Sequence, residues 1–150
     1  MKQKKNNVAI IGGGIVGSLL ALILGLNGFK ITVIDRQKKD KLFSKNHYVK
    51  SYALNQGSSN LLNILNIWDI IKTKSQPIDK ILLKQGSSIS SIQPFELIFS
   101  NDYSKNNYLF HMIEEIYLKK AIVEKIDKCP NIEYLYSSNI VEQFIDKNST

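Results

Sequence analysis

Arginine is almost missing from this chain. Lys and Arg together number 20 of 150 residues, yet Arg36 is the only arginine, and the guanidinium fork is the group that reads base edges and grips phosphates at two points. The formal charge of +7 therefore rests on scattered lysines, which together with abundant asparagine and isoleucine look like a bias toward Lys, Asn and Ile codons. No nucleic-acid partner is expected. Cysteine is equally scarce: Cys129 stands alone, which excludes a disulfide framework and a thiolate metal cluster. It reads as a small apolar residue near a helix end, before Pro130. The two histidines, His47 and His111, are far apart in sequence and lack acids at ligand or triad spacing, so both read as surface or packing residues and no metal site is expected. Long apolar runs are missing too. The longest, Leu19 to Leu24, stops at Gly25 and is too short to cross a bilayer. Lys2 to Lys5 followed by apolar residues imitates a signal peptide, but no cleavage-like site follows. A soluble, cytoplasmic chain without a transmembrane segment is expected.

What is present is a glycine fingerprint in a telling position. Gly12, Gly14 and Gly17 form G-x-G-x-x-G directly after the apolar run Val8 to Ile11 and at the head of a second apolar stretch, Ile15 to Leu26. Strand, glycine turn and helix in that order are what a dinucleotide-binding unit requires. Gly12 permits the sharp exit from the strand, Gly14 lets a pyrophosphate approach bare backbone, and Gly17 lets the helix lie close to the sheet. The free N–H groups of the first helical turn, at Ile15 and Val16, then face the phosphates. Gly25 and Gly28 are expected to end the helix, and Ile31 to Ile34 reads as the second parallel strand. Asp35 stands at its carboxyl end, where a carboxylate can accept both hydroxyls of an adenosine ribose. The competing reading is a plain βαβ unit without ligand, and it does not explain three glycines where a turn needs one.

With 43% hydrophobic residues, the chain can bury a real core as one domain or a domain with an appendage. After Asp35 a polar loop is expected over Gln37 to Lys45, and Val49 to Leu54 is ambiguous. Leu61 to Ile71 repeats at helical spacing, with Ser58 or Ser59 as N-cap. Pro77 reads as a boundary. Ile78 to Lys84 and Phe95 to Phe99 read as paired strands joined at Gly86-Ser87-Ser88, and Tyr108 to Met112 as a short strand or extended link. A helix is expected over Ile113 to Ile126, its apolar face made of Ile113, Ile116, Tyr117, Ala121 and Ile122. Asn131 to Tyr136 is expected as the late third parallel strand, and Ile140 to Ile145 as one more. The fold class is α/β: a Rossmann-like βαβ unit with part of a small antiparallel layer. The nucleotide-binding part is expected at 1–46 and 112–150, with 47–111 as an excursion.

These residues also resemble a known family. The stretch Val8 to Gly17, Asp35, Lys50-Ser51-Tyr52-Ala53-Leu54-Asn55-Gln56-Gly57-Ser58-Ser59 running into Leu61 to Trp68, and Ile113-Glu114 with Leu118 to Ile122 look like the N-terminal part of the ubiquinone-biosynthesis hydroxylases. Those are FAD-dependent aromatic-ring monooxygenases of the 2-polyprenyl-6-methoxyphenol hydroxylase type. The resemblance implies that Gly12, Gly14, Ile15, Val16 and Gly17 hold the FAD pyrophosphate, Asp35 the ribose, and that Arg36 lies along the adenine. It places Lys50, where the family usually has arginine, near the phosphates and ribityl chain, with the charge kept and the fork lost. A polar cofactor contact common in the family is replaced here by Glu114-Glu115-Ile116. The resemblance implies no catalytic acid or base within these residues, since the oxygen chemistry belongs to the cofactor.

Family members are more than twice as long, so the chain reads as an N-terminal fragment, inactive alone, from a split gene, a gene decayed by truncation or a partial reading frame; in the first case a separately encoded C-terminal half is the expected partner. The aromatic polyprenyl substrate is an expected partner of the complete enzyme, and the NAD(P)H reductant of the full-length family is not expected to bind stably here. Association with the inner membrane through a complex is the peripheral alternative to a purely cytoplasmic location. Two rival readings stand beside this one. The first is a fragment of an NAD(P)-dependent dehydrogenase, against which the irregular continuation after Asp35 argues. The second is a non-catalytic remnant serving as a binding module.

Overall fold

Four apolar residues, Val8 to Ile11, followed by a glycine that can turn and a helix that can pack back, dictate how the first unit begins. In the computed structural model, which describes residues 7–39, 50–84, 96–101 and 108–142, β1 (Asn7–Ile11) leads into α1 (Ile15–Leu26) and β2 (Lys30–Ile34). β1 and β2 pair in parallel with Ile10 opposite Val33. The third strand arrives late: β8 (Ile132–Leu135) pairs in parallel with β2, Val33 facing Tyr134, giving the order β1-β2-β8. Ile10, Ala21, Ile31 and Val33 form the buried centre of this unit, with Val8, Leu24, Phe29, Ile132 and Tyr134 packed around them.

The turn between α1 and β2 shows where the sequence reading needs correction. Gly28 has φ +85°, and its N–H donates to Gly25 while the Phe29 N–H donates to Leu24, the paired bonds of a glycine C-terminal motif. Gly25 does not end the helix. It lies buried within α1, and a side-chain carbon there would press on Ile132 at 2.7 Å and on the Cys129 sulfur at 3.2 Å, so its role is close approach of helix to strand.

The chain divides into two units, Met1–Asn46 with Leu118–Thr150, and His47–Tyr117; the division falls within α4 (Glu115–Asp127). In the second unit the ambiguous segment is a strand, β3 (Ser51–Leu54), which pairs antiparallel with β7 (Phe110–Glu114). β4 (Gln76–Ile78) flanks β7 on its other side, Pro77 opposite His111. Pro77 is thus inside a strand rather than at a boundary, tolerated because β4 pairs on one side only among the described residues. β5 (Lys80–Lys84) and β6 (Glu96–Ser100) form the expected antiparallel pair, while the turn expected at Gly86-Ser87-Ser88 lies outside the described residues.

The helix expected over Leu61 to Ile71 is instead two. α2 (Gln56–Ile64) starts early because Asn55, not Ser58 or Ser59, caps it: its Oδ1 accepts the Ser58 N–H at 2.8 Å. It stops at Asn66, which takes φ +53°, with the Asn66 N–H on Asn63 and the Ile67 N–H on Leu62. Asparagine tolerates the left-handed region better than most residues, and it fills the place glycine holds in α1. α3 (Trp68–Ile71) follows, then a 3-10 turn at Lys72–Lys74. In α4 the buried face is Leu118, Ala121, Ile122, Val123 and Ile126; Ile113 belongs to β7 and Tyr117 is exposed. Ile140 to Glu142 are not a strand, and the rest of that expected element lies outside the described residues, as does His47.

Candidate cofactor site

The glycine turn is built from a different glycine than the fingerprint emphasises. Gly12 leaves β1 at φ +97°, its N–H still bonded to the Ile34 carbonyl at 2.8 Å. Gly17 has no room for a side chain, because a carbon there would overlap the Gly12 carbonyl; the helix therefore lies hard against the turn. Gly14 is the reverse case: a side-chain carbon would meet no atom within 4 Å. Between them Gly13 is buried, and a side chain on it would overlap the Tyr134 hydroxyl and come within 2.8 Å of the Asp35 carboxylate.

Asp35 is fixed through all its polar groups. Its backbone N–H donates to Leu135 at 3.0 Å and its carbonyl accepts from Ser138 at 3.0 Å, so the end of β2 is clamped to the continuation of β8. Its Oδ2 accepts the Gly13 N–H at 2.7 Å and its Oδ1 the Gln37 N–H at 2.8 Å. Each carboxylate oxygen has a second lone pair, so two acceptor positions remain for ligand hydroxyls. Arg36, next in the chain, is exposed.

α1 starts at Gly14 with no side-chain cap and no acidic residue in its first turn. The first N–H groups of a helix have no acceptor within the helix, and its N-terminus carries partial positive charge, so the Ile15 and Val16 end of α1 suits an anion. A hollow of about 10 Å³ lies between this turn and Lys119, Ile122 and Val123 of α4. That is room for one water and not for a diphosphate. Open backbone at Gly14, a bare helix start and a fixed carboxylate at the end of the second strand are the features that the adenosine diphosphate half of FAD needs.

Sequence reasoning missed Gly13, Ser18 and Tyr134. The Ser18 hydroxyl donates to the Gly13 carbonyl at 3.0 Å, and the Tyr134 hydroxyl donates to the same oxygen at 2.8 Å. Burial raises the Tyr134 pKa, keeping its proton available to donate. Tyr134 stacks on Tyr136 with ring centroids 4.2 Å apart, and Tyr136 is itself pushed up to about 12, first by burial and then by Tyr134, Asp127 and Asp35. The run Gly12-Gly13-Gly14 was a local signal for Gly13. Nothing local could link it to Tyr134, 121 residues away.

In the second unit, the Lys50 carbonyl accepts the Glu115 N–H at 2.8 Å, and its side chain is exposed. Glu115, in place of the polar cofactor contact expected there, accepts the Tyr52 hydroxyl at 3.2 Å. His111 packs edge-on against Trp68 at 4.8 Å and Tyr108 at 5.3 Å, and burial lowers its pKa.

Comparison with known proteins agrees with this geometry. Residues 5–128 match the FAD binding domain. The chain belongs to that family. It is 28% identical over 128 residues to the ubiquinone hydroxylase UbiL of Rhodospirillum rubrum, covering 85% of this chain and 28% of that protein. It is 27% identical to a kynurenine 3-monooxygenase of Dictyostelium discoideum, covering 87% of this chain and 26% of the relative. In fold it is similar to p-nitrophenol 4-monooxygenase PnpA from Pseudomonas putida, with TM-score 0.69, 20% identity and coverage of 95% of this chain and 34% of that one. The chain thus spans about a quarter to a third of the length of the proteins it matches. Among the described residues no helix is long and apolar enough to cross a membrane.

Proposed function

We propose that this chain forms the adenosine-diphosphate part of the cofactor site in an FAD-dependent monooxygenase that hydroxylates a polyprenyl-phenol ring in ubiquinone biosynthesis. The observation that supports it most is the open backbone at Gly14 over an uncapped helix start, beside the fixed Asp35 carboxylate. Gly12, Gly14 and Gly17 with the N–H groups of Ile15 and Val16 hold the pyrophosphate. Asp35 accepts from the ribose, and Arg36 lies along the adenine. When bound, FAD supplies the redox and oxygen chemistry; the residues of this chain bind and orient it. NAD(P)H serves as reductant of the whole enzyme, of which these residues form one part. The similarity to UbiL favours the ubiquinone pathway. The similarity to kynurenine 3-monooxygenase favours a second reading, in which the ring belongs to kynurenine.

Calorimetric titration with ADP and FAD tests the site. Saturable binding is expected for the unaltered chain, and Gly14→Val should lose it, because a branched side chain would fill the space through which phosphate reaches backbone. Equal affinity of the two, or preference for NADH over FAD, would overturn the assignment. Oxygen uptake by the whole enzyme then separates the substrates: stimulation by a polyprenyl phenol is expected, and stimulation by kynurenine alone would replace the first reading with the second.

A further inference from the structure

The backbone groups of Gly13 are bonded by side chains from three different elements. Its N–H is taken by Asp35 at the end of β2, and its carbonyl by Ser18 of α1 and Tyr134 of β8. The N–H lies in the Gly12–Gly13 peptide and the carbonyl in the Gly13–Gly14 peptide; the residue's one donor and both acceptor positions are used, so neither plane can rotate without breaking a bond. Gly13 is buried, and a broken bond there would leave a polar group without water to replace its partner. The sheet order β1-β2-β8 puts β8 two strands away from the turn that follows β1. At about 4.8 Å per strand, only a long side chain spans that distance, and the rigid phenol of Tyr134, stacked on Tyr136, does so with few rotatable bonds.

We propose that Tyr134 is a positioning residue of the cofactor site, its hydroxyl acting with that of Ser18 to hold the Gly13 carbonyl and so set the Gly13–Gly14 peptide that turns the bare Gly14 backbone outward, while the Gly13 N–H, in the adjoining peptide, aims the Asp35 carboxylate. This rests on the FAD-binding reading and goes beyond it by giving the third strand a part in the phosphate turn. The same contacts explain why the middle glycine of Gly12-Gly13-Gly14 cannot carry a side chain.

The test compares the full chain with Tyr134→Phe and Ser18→Ala by two measurements. ADP affinity should fall about five- to tenfold in Tyr134→Phe and about threefold in Ser18→Ala, as expected for one hydrogen bond to a positioning peptide. The Gly13 amide proton, bonded to a charged acceptor, should resonate downfield in the unaltered chain and move in both variants, a change that a general loss of stability would not produce. An unmoved Gly13 amide with unchanged ADP affinity in both variants would overturn the proposal. Absence of ADP binding by the unaltered chain would instead overturn the reading of the site, and the Gly13 resonance would still decide the role of Tyr134. Should Tyr134→Phe fail to fold, Ser18→Ala carries both readouts.

Discussion

Two helices of this chain start in opposite ways. α2 closes its own first turn with Asn55, whose Oδ1 accepts the Ser58 N–H. α1 starts at Gly14 without a side-chain cap, although Ser18 and Asp35 stand close enough to reach the turn; both are spent on the Gly13 peptide instead. Neither helix has an acidic residue in its first turn. A helix that serves only the fold gains by capping itself. One that keeps its first N–H groups open, while the loop before it is held rigid from other elements, is shaped for an anion that comes from outside.

The comparison breaks most visibly at the glycines of the turn. Gly13→Ala should destabilise the chain by about 1–3 kcal/mol, the usual cost of forcing an extra carbon into a packed site, because it would overlap the Tyr134 hydroxyl. Gly14→Ala, pointing into open space, should leave stability within about 0.5 kcal/mol. Urea unfolding of the two variants checks this, and a common midpoint would mean that the turn is not held from outside.

At the other helix, Asn55→Ala should cost about 1 kcal/mol through loss of the cap while ADP affinity stays unchanged. The measurement is urea unfolding alongside calorimetry on the same samples. A fall in affinity would show that the α2 start serves ligand as well, and the contrast between the two helices would dissolve.

The contrast itself was half legible in the sequence. The strand, the glycine turn, α1 and the acid at Asp35 all lie within one short span, and local pattern sufficed to read them. The α2 start was misread because hydrophobic spacing begins at Leu61, whereas the cap sits at Asn55, ahead of a polar first turn that has no apolar period. The break at Asn66 was invisible for a similar reason: the apolar residues on either side keep helical spacing while one asparagine adopts φ +53°. Pro77 misled because its local meaning, a stop, is overridden at a strand edge. Tyr134 was out of reach of any local rule, since its role depends on the sheet order that brings β8 beside β2.

A small expected gain in stability is the most discriminating. Val16 in the first turn of α1 is 81% exposed, so replacing it removes little packing. Glutamate there has better helix propensity and interacts favourably with the helix N-terminus, by about 0.3–1 kcal/mol; Val16→Glu should therefore raise the unfolding midpoint slightly. The same carboxylate would stand where the cofactor phosphates are expected and repel them, so ADP affinity should fall, and fall less at high salt, which screens an exposed charge. Val16→Gln separates the two effects. It gains propensity without charge, and its affinity should remain that of the unaltered chain. Stability and affinity moving in opposite directions in the glutamate variant is the behaviour of a helix end kept bare for an anion. If Val16→Glu binds ADP as tightly as the unaltered chain, the start of α1 is open without being used, and the phosphates must lie elsewhere on the turn.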